Sequence, residues 1–155
     1  VEGTFKINGK ELKTVFSPDT VLLTLLRDNG FKEVKEGCRE GECGACLVLL
    51  DGKLVNSCQV LAGSAVGREI TTVKGIGNIH SPHPIQSAFV DTGAVQCGFC
   101  TPGMVLAAYY LLNENPDPDD EEIRRSLDGN LCRCTGYVKI IEAVRLAAKR
   151  MRETK

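Results

Sequence analysis

The chain has 155 residues with 43% hydrophobic side chains, a formal net charge of −1 and eight cysteines. Residues 1–79 carry ten basic and ten acidic side chains, residues 80–155 nine and ten; this balance excludes the basic field that nucleic acid or an acidic membrane surface requires. No apolar run approaches the length of a membrane span and no charged-then-apolar signal segment opens the chain, so no membrane insertion and a cytoplasmic location are expected.

Residues 4–7 and 11–16 alternate in character around Asn8-Gly9, a dipeptide suited to the positive φ values of a tight hairpin. Pro18-Asp19-Thr20 offers a helix start, Val21 to Leu26 an apolar stripe and Gly30 a stop. Residues 46–50 and 53–56 flank Asp51-Gly52, a second hairpin signal, and residues 70–73 read as a further strand. A mixed sheet gripping one helix accounts for this half. Between Lys74 and Pro84 glycine and proline punctuate the chain. The expected division is a first domain over 1–76, a linker over 77–83 and a second domain over 84–155. Beyond the linker the signals are helical: 84–92, 101–114, 117–127 and 137–151, with Thr101-Pro102 and Asp117-Pro118 as capping pairs. The sum is an α+β protein, strand-rich first and a four-helix bundle second. Below roughly 80 residues a core alone supplies only a few kcal/mol, so each half calls for a staple such as a metal site.

The cysteines supply that staple. Cys38, Cys43, Cys46 and Cys58 read C-x4-C-x2-C-x11-C, and the opening is the plant-type ferredoxin spacing for a [2Fe–2S] cluster. Gly37, Gly41 and Gly44 let the backbone wrap the cluster and aim N–H groups at its sulfurs. Four cysteines also bind zinc, although structural zinc sites usually present paired C-x2-C knuckles. Cys97, Cys100, Cys132 and Cys134 read C-x2-C followed by C-x-C, a less decisive pattern: Cys97-Gly98-Phe99-Cys100 resembles a redox dithiol, and Cys132-Arg133-Cys134 would also close a zinc site. A thioredoxin motif follows a strand, however, and this one falls between helices. Both pairs precede helices, whose N-termini favour an anionic centre. Four disulfides are the remaining alternative, one that belongs to secreted, core-poor scaffolds.

Gly37-Cys38-Arg39-Glu40-Gly41-Glu42-Cys43-Gly44-Ala45-Cys46, the stretch from Gly93 through Gln96-Cys97-Gly98-Phe99-Cys100 to Met104, and Gly129-Asn130-Leu131-Cys132-Arg133-Cys134-Thr135-Gly136-Tyr137 together resemble the iron–sulfur subunit of the molybdenum hydroxylases, the xanthine dehydrogenase and aldehyde oxidoreductase family. The resemblance covers nearly the whole chain. It implies a β-grasp, plant-ferredoxin-like domain followed by a four-helix bundle, with one [2Fe–2S] cluster in each. It implies that Gln96 and Cys134 contact a molybdopterin cofactor in a large partner subunit and that electrons leave through the first cluster toward FAD in a medium subunit. A dimer of such heterotrimers is expected. By the same resemblance the chain touches no substrate, which would be an N-heterocycle or aldehyde, with carbon monoxide or an aromatic thioester as further options. A free-standing two-cluster ferredoxin serving several reductases is the alternative class, and a zinc-stapled module a third.

Other features have plainer expectations. His80 and His83 read as solvated or locally hydrogen-bonded, since a Rieske site would place each beside cysteines. Residues 104–112 are apolar on every helical face, which implies burial all round, part of it against a partner. The acidic run Asp117 to Glu122 and the basic tail Lys149, Arg150, Arg152 and Lys155 suit opposite ends of helix dipoles.

Overall fold

The structure is a computed structural model and describes residues 1–154; Lys155, the last member of the basic tail, lies outside the described residues. Strands β1 (Glu2–Ile7) and β2 (Lys10–Val15) form the expected hairpin, with Asn8 at φ 51° and Gly9 at φ 78°. Two successive positive φ values match the right-handed twist of the flanking strands. The helix expected to start at Pro18 starts later. Pro18 to Thr20 form a turn closed by Thr20 N–H on Ser17 C=O, and α1 runs Leu22–Asp28. Val21 is held extended because it bridges Leu61, while Leu22 N–H bonds Val60 C=O at 2.7 Å. That tertiary pairing outcompetes the earlier start.

Strands β3 (Leu47–Leu50) and β4 (Lys53–Asn56) make the second hairpin around Asp51-Gly52. Strand β5 (Glu69–Thr71) completes a five-stranded sheet in the order β2-β1-β5-β3-β4, with β1 and β5 parallel and the other neighbours antiparallel. Val73, expected in that strand, instead opens a short helix α2 (Val73–Ile76). Thr72 ends the ladder: its N–H and hydroxyl bond the side chains of Asn8 and Glu33 rather than a neighbouring strand.

Helices α3 (Pro84–Asp91), α4 (Thr101–Glu114), α5 (Asp120–Leu127) and α6 (Val138–Glu153) follow. Their caps differ from the expected ones. Cys100, not Thr101, is the N-cap of α4, and Asp119, not Asp117, caps α5 through a reciprocal pair with Glu122, both bonds 2.8 Å. His83 caps α3, its Nδ1 accepting from Ile85 N–H at 3.2 Å, and burial holds its pKa down so that the accepting lone pair persists. His80 is exposed. The acidic run does more than face a dipole. Asp120 holds Arg145 in a two-bond fork at 2.6 and 2.8 Å, Asp117 pairs with Arg152 and Asp91 with Arg150, so α6 is tied to both α3 and the start of α5.

Two apolar clusters result. Phe5, Ile7, Leu22, Leu26, Val48, Leu50 and Ile70 pack α1 onto one face of the sheet; Ile85, Phe89, Met104, Ile123, Ile140 and Val144 join the four long helices. Leu47 and Leu54 reach from the sheet into the helical cluster, so α4 lies over the opposite face from α1. All four residues of β3 are buried, which explains its unbroken apolar run. The burial of Met104 to Ala108 and Leu112 is supplied by this chain itself, not by a partner. Replacing Asp119 by Ala should cost about 1 kcal/mol, lowering Tm by about 3 °C, whereas Asp117→Ala should change Tm by under about 1 °C; thermal denaturation of the two variants distinguishes the caps.

Candidate iron–sulfur centres

Residues 37–46 form an arch whose backbone turns inward. Arg39, Gly41 and Gly44 have φ of 60°, 78° and 71°, the left-handed conformations that reverse the chain over few residues. The reversal aims N–H groups at sulfur: Glu40, Glu42 and Cys43 donate to Cys38 Sγ at 3.3 to 3.4 Å, and Cys38 and Ala45 donate to Cys43 Sγ at 3.4 and 3.5 Å. Gly37 has no room for a side chain, since a Cβ there would meet Cys43 Sγ at 2.6 Å. Cys46 enters β3 and Cys58 lies in the 3-10 turn Ser57–Gln59 after β4, both buried. Gln59, which sequence reasoning passed over, clamps the arch: its Nε2 donates to Arg39 C=O at 3.1 Å and to Cys58 Sγ at 3.4 Å. Its position beside a cysteine was the available signal.

The second set is assembled at helix ends. Cys97 is exposed beside the exposed Gln96, Cys100 caps α4, and Cys132 and Cys134 lie in the loop before α6. Thr135 donates to Cys132 Sγ from its N–H at 3.4 Å and its hydroxyl at 3.1 Å. The expected α6 N-terminus does not reach sulfur by itself; its cap is Tyr137, held at φ 71°, and Thr135 does the reaching.

The thiols come in twos. Cys38 lies beside Cys43, Cys46 beside Cys58, Cys100 beside Cys132 and Cys97 beside Cys134, each thiol shifting its neighbour's acidity. Among the described residues no three His, Cys, Asp or Glu side chains close on one point. A dinuclear cluster needs two thiolates on each of two irons, and neighbouring sulfurs in twos fit that requirement. The acidities agree. Backbone N–H groups of Glu40, then Cys43 and Glu42, hold the Cys38 thiol down at about 6. Burial alone would raise Cys132, but the Thr135 hydroxyl and N–H, with the Cys134 N–H and the Cys100 side chain, together outweigh it and bring it to about 7. Burial pushes Cys46 up to about 11, and burial with the neighbouring Cys132 pushes Cys100 up to about 12. Each set thus holds one readily ionised sulfur, Cys38 or Cys132, and one, the buried Cys46 or the half-buried Cys100, that becomes a thiolate only against a compensating cation.

The two sets meet at one point. Gly44, in the first arch, is pressed between Gly129 C=O, the Asn130 side chain and Gly103 on α4; a Cβ on Gly103 would collide with Gly44 C=O. Asn130, only 3% exposed, donates from Nδ2 to Gly44 C=O at 3.3 Å, and Leu131 N–H donates to Cys43 C=O at 3.0 Å. Cys43 and Cys132 are therefore joined by backbone bonds and a single hydrogen bond.

Fold and thiol chemistry together define an iron–sulfur electron carrier of two unlike sites. Residues 5–69 match the family described as 2Fe-2S iron-sulfur cluster binding domain and residues 72–145 that described as [2Fe-2S] binding domain. The nicotinate dehydrogenase small FeS subunit of Eubacterium barkeri is 52% identical over 145 residues, covering 93% of this chain and 92% of that one. The solved quinoline 2-oxidoreductase of Pseudomonas putida 86 superposes with a TM-score of 0.93 at 40% identity, covering 99% of this chain and 96% of its own. The aldehyde oxidoreductase of Desulfovibrio desulfuricans ATCC 27774 superposes with a TM-score of 0.94 at 41% identity; the match covers 99% of this chain but only 17% of that longer one. The chain belongs to the iron–sulfur small subunits of the molybdenum hydroxylase family, as an electron-transfer subunit of an oxidoreductase. Its α+β fold is that of these relatives' iron–sulfur parts. Among the described residues no helix is long and apolar enough to cross a membrane.

The junction is testable by a pair of glycines. Gly103→Ala should lower stability by about 1–3 kcal/mol through overpacking against Gly44. Gly129→Ala, whose Cβ would enter open space, should lie within about 0.5 kcal/mol of the parent. Denaturant midpoints of the two variants give the comparison.

Proposed function

We propose that this chain carries electrons one at a time from a molybdenum–pterin site in a large partner subunit to FAD in a medium partner subunit. Cys38, Cys43, Cys46 and Cys58 hold one cluster; Cys97, Cys100, Cys132 and Cys134 hold the other. When bound, a [2Fe–2S] cluster supplies a one-electron couple whose potential follows hydrogen bonds to sulfur and solvent exposure. The observation that carries the reading is the Leu131 N–H bond to Cys43 C=O, which supports a short covalent and hydrogen-bonded route between the two thiol sets.

Entry is assigned to the second set because Gln96, Cys97 and Cys134 are exposed together, leaving a face on which a pterin in the large subunit would rest. The direction is supported by the sulfur donors. Three backbone N–H groups serve Cys38, two serve Cys43 and the Gln59 amide serves Cys58, whereas fewer serve the second set: the Thr135 hydroxyl and N–H with the Cys134 N–H at Cys132, and the Cys97 N–H at Cys134. Donors stabilise the more negative reduced state, so the first site is expected at the higher potential and the current runs downhill toward it. Greater exposure of Cys97 and Cys134 works the other way; the proposed direction follows the larger number of donors at the first site.

The domain division at 1–76, 77–83 and 84–155, the assembly as a dimer of heterotrimers and a cytoplasmic location complete the proposal. The two apolar clusters support the division. Since two relatives are named for nicotinate and quinoline, an N-heterocycle is the proposed substrate class of the partner subunit. Cys134→Ser in the intact assembly should impair the helical-domain cluster and slow electron flow from the molybdenum site, with the other cluster's spectrum unchanged. Loss of both EPR signals in that variant would contradict independent housing of the two clusters.

A further inference from the structure

Cys132 sits in a closed ring of hydrogen bonds made by side chains outside the cysteine sets. Its N–H donates to Tyr137 Oη at 2.9 Å; Tyr137 N–H donates to Thr135 Oγ1 at 3.1 Å; Thr135 Oγ1 and N lie 3.1 and 3.4 Å from Cys132 Sγ. A threonine hydroxyl has one proton and two lone pairs. With Tyr137 N–H occupying a lone pair, the proton is left for the sulfur. Tyr137 holds φ 71°, a backbone conformation uncommon for an aromatic residue, and its ring packs on the helical cluster, so the ring is fixed from both ends. From outside the cysteines, the Thr135 hydroxyl serves Cys132 Sγ, the Gln59 amide serves Cys58 Sγ and the Ser57 side chain lowers the Cys46 pKa, whereas the donors from Glu40, Glu42, Cys43, Cys38 and Ala45 are backbone groups that substitution leaves in place.

We propose that Thr135 tunes the helical-domain cluster, its hydroxyl raising the reduction potential through Cys132 Sγ, and that Tyr137 positions it. The inference rests on Cys132 being a ligand of that cluster. On reduction one electron enters the cluster, supplied by the molybdenum site or by dithionite in a titration, and the sulfurs become more negative. The Thr135 proton stays on its oxygen; its hydrogen bond strengthens in the reduced state, as bonds to charged acceptors do. The effect narrows the potential gap to the first site, whose sulfurs are served largely by backbone N–H groups.

Anaerobic redox titration of the holoenzyme, followed by the EPR signal of each cluster, tests this. Thr135→Val keeps the shape and removes the hydroxyl: the one-electron equilibrium of one cluster should shift about tenfold toward the oxidised form, about 59 mV lower, with the other unchanged. Thr135→Ser should keep the parent potential. An unchanged potential in Thr135→Val, or an equal shift in Thr135→Ser, would overturn the proposal. If Thr135→Val fails to retain the cluster, Thr135→Ala removes the hydroxyl with less bulk and should show the same shift. Loss of the cluster in both, with Thr135→Ser intact, assigns the hydroxyl to cluster retention instead and also overturns it. A parent enzyme with a single EPR signal would instead sink the two-cluster reading itself.

Discussion

The contact on which the rest depends is the burial of Gly44 against Gly103, Gly129 and Asn130, with the Leu131 N–H on Cys43 C=O beside it. Each partner belongs to a segment that also positions thiols. Gly44 precedes Cys46, Gly103 follows Cys100 in the first turn of α4, and Asn130 and Leu131 lead into Cys132. Backbone can approach backbone this closely only where side chains are absent, so Gly44 and Gly103 are fixed by one requirement, while Gly129 contributes its carbonyl. The same contact brings α4 onto the sheet and closes the helical cluster over Leu47 and Leu54. Packing and electron path are thus one feature of the fold.

The electrostatics of the thiols follow from it. Eight thiols held in four pairs repel as they ionise, and the chain opposes this with donors at Cys38, Cys43 and Cys132 while burying Cys46, Cys58 and, in part, Cys100. The donors make some sulfurs ready ligands; burial makes others dependent on a bound cation. Such an arrangement favours a centre that carries both positive charge and acceptor sulfides over a dithiol that exchanges with solvent.

Much of the fold was legible in the sequence because its signals are local. Asn8-Gly9 and Asp51-Gly52 specify their hairpins by positive φ, and residues 101–114 are helical to the residue. What was not legible was set by contacts far apart in sequence. The Val21 bridge to Leu61 delays α1, and the Asn8 and Glu33 bonds to Thr72 end β5 early. Asp119 prevails over Asp117 as a cap because Glu122 stands three residues on to return the bond. At the candidate site the cysteines announced themselves by spacing, and Gln96 through the resemblance. Gln59 did not, and Asn130, Thr135 and Tyr137 belonged to the motif behind the resemblance without showing their partners, since nothing in a lone amide, hydroxyl or phenol states that it will reach a sulfur or a glycine carbonyl.

Two unlike thiol sets, each proposed to hold a [2Fe–2S] cluster, define the protein's chemistry. Metal and sulfide analysis of anaerobically purified protein, with EPR after reduction, addresses it directly. About four irons and four sulfides per chain and two distinguishable EPR signals are expected. A colourless protein containing zinc, or a single iron–sulfur signal with half the iron, would contradict the two-cluster reading.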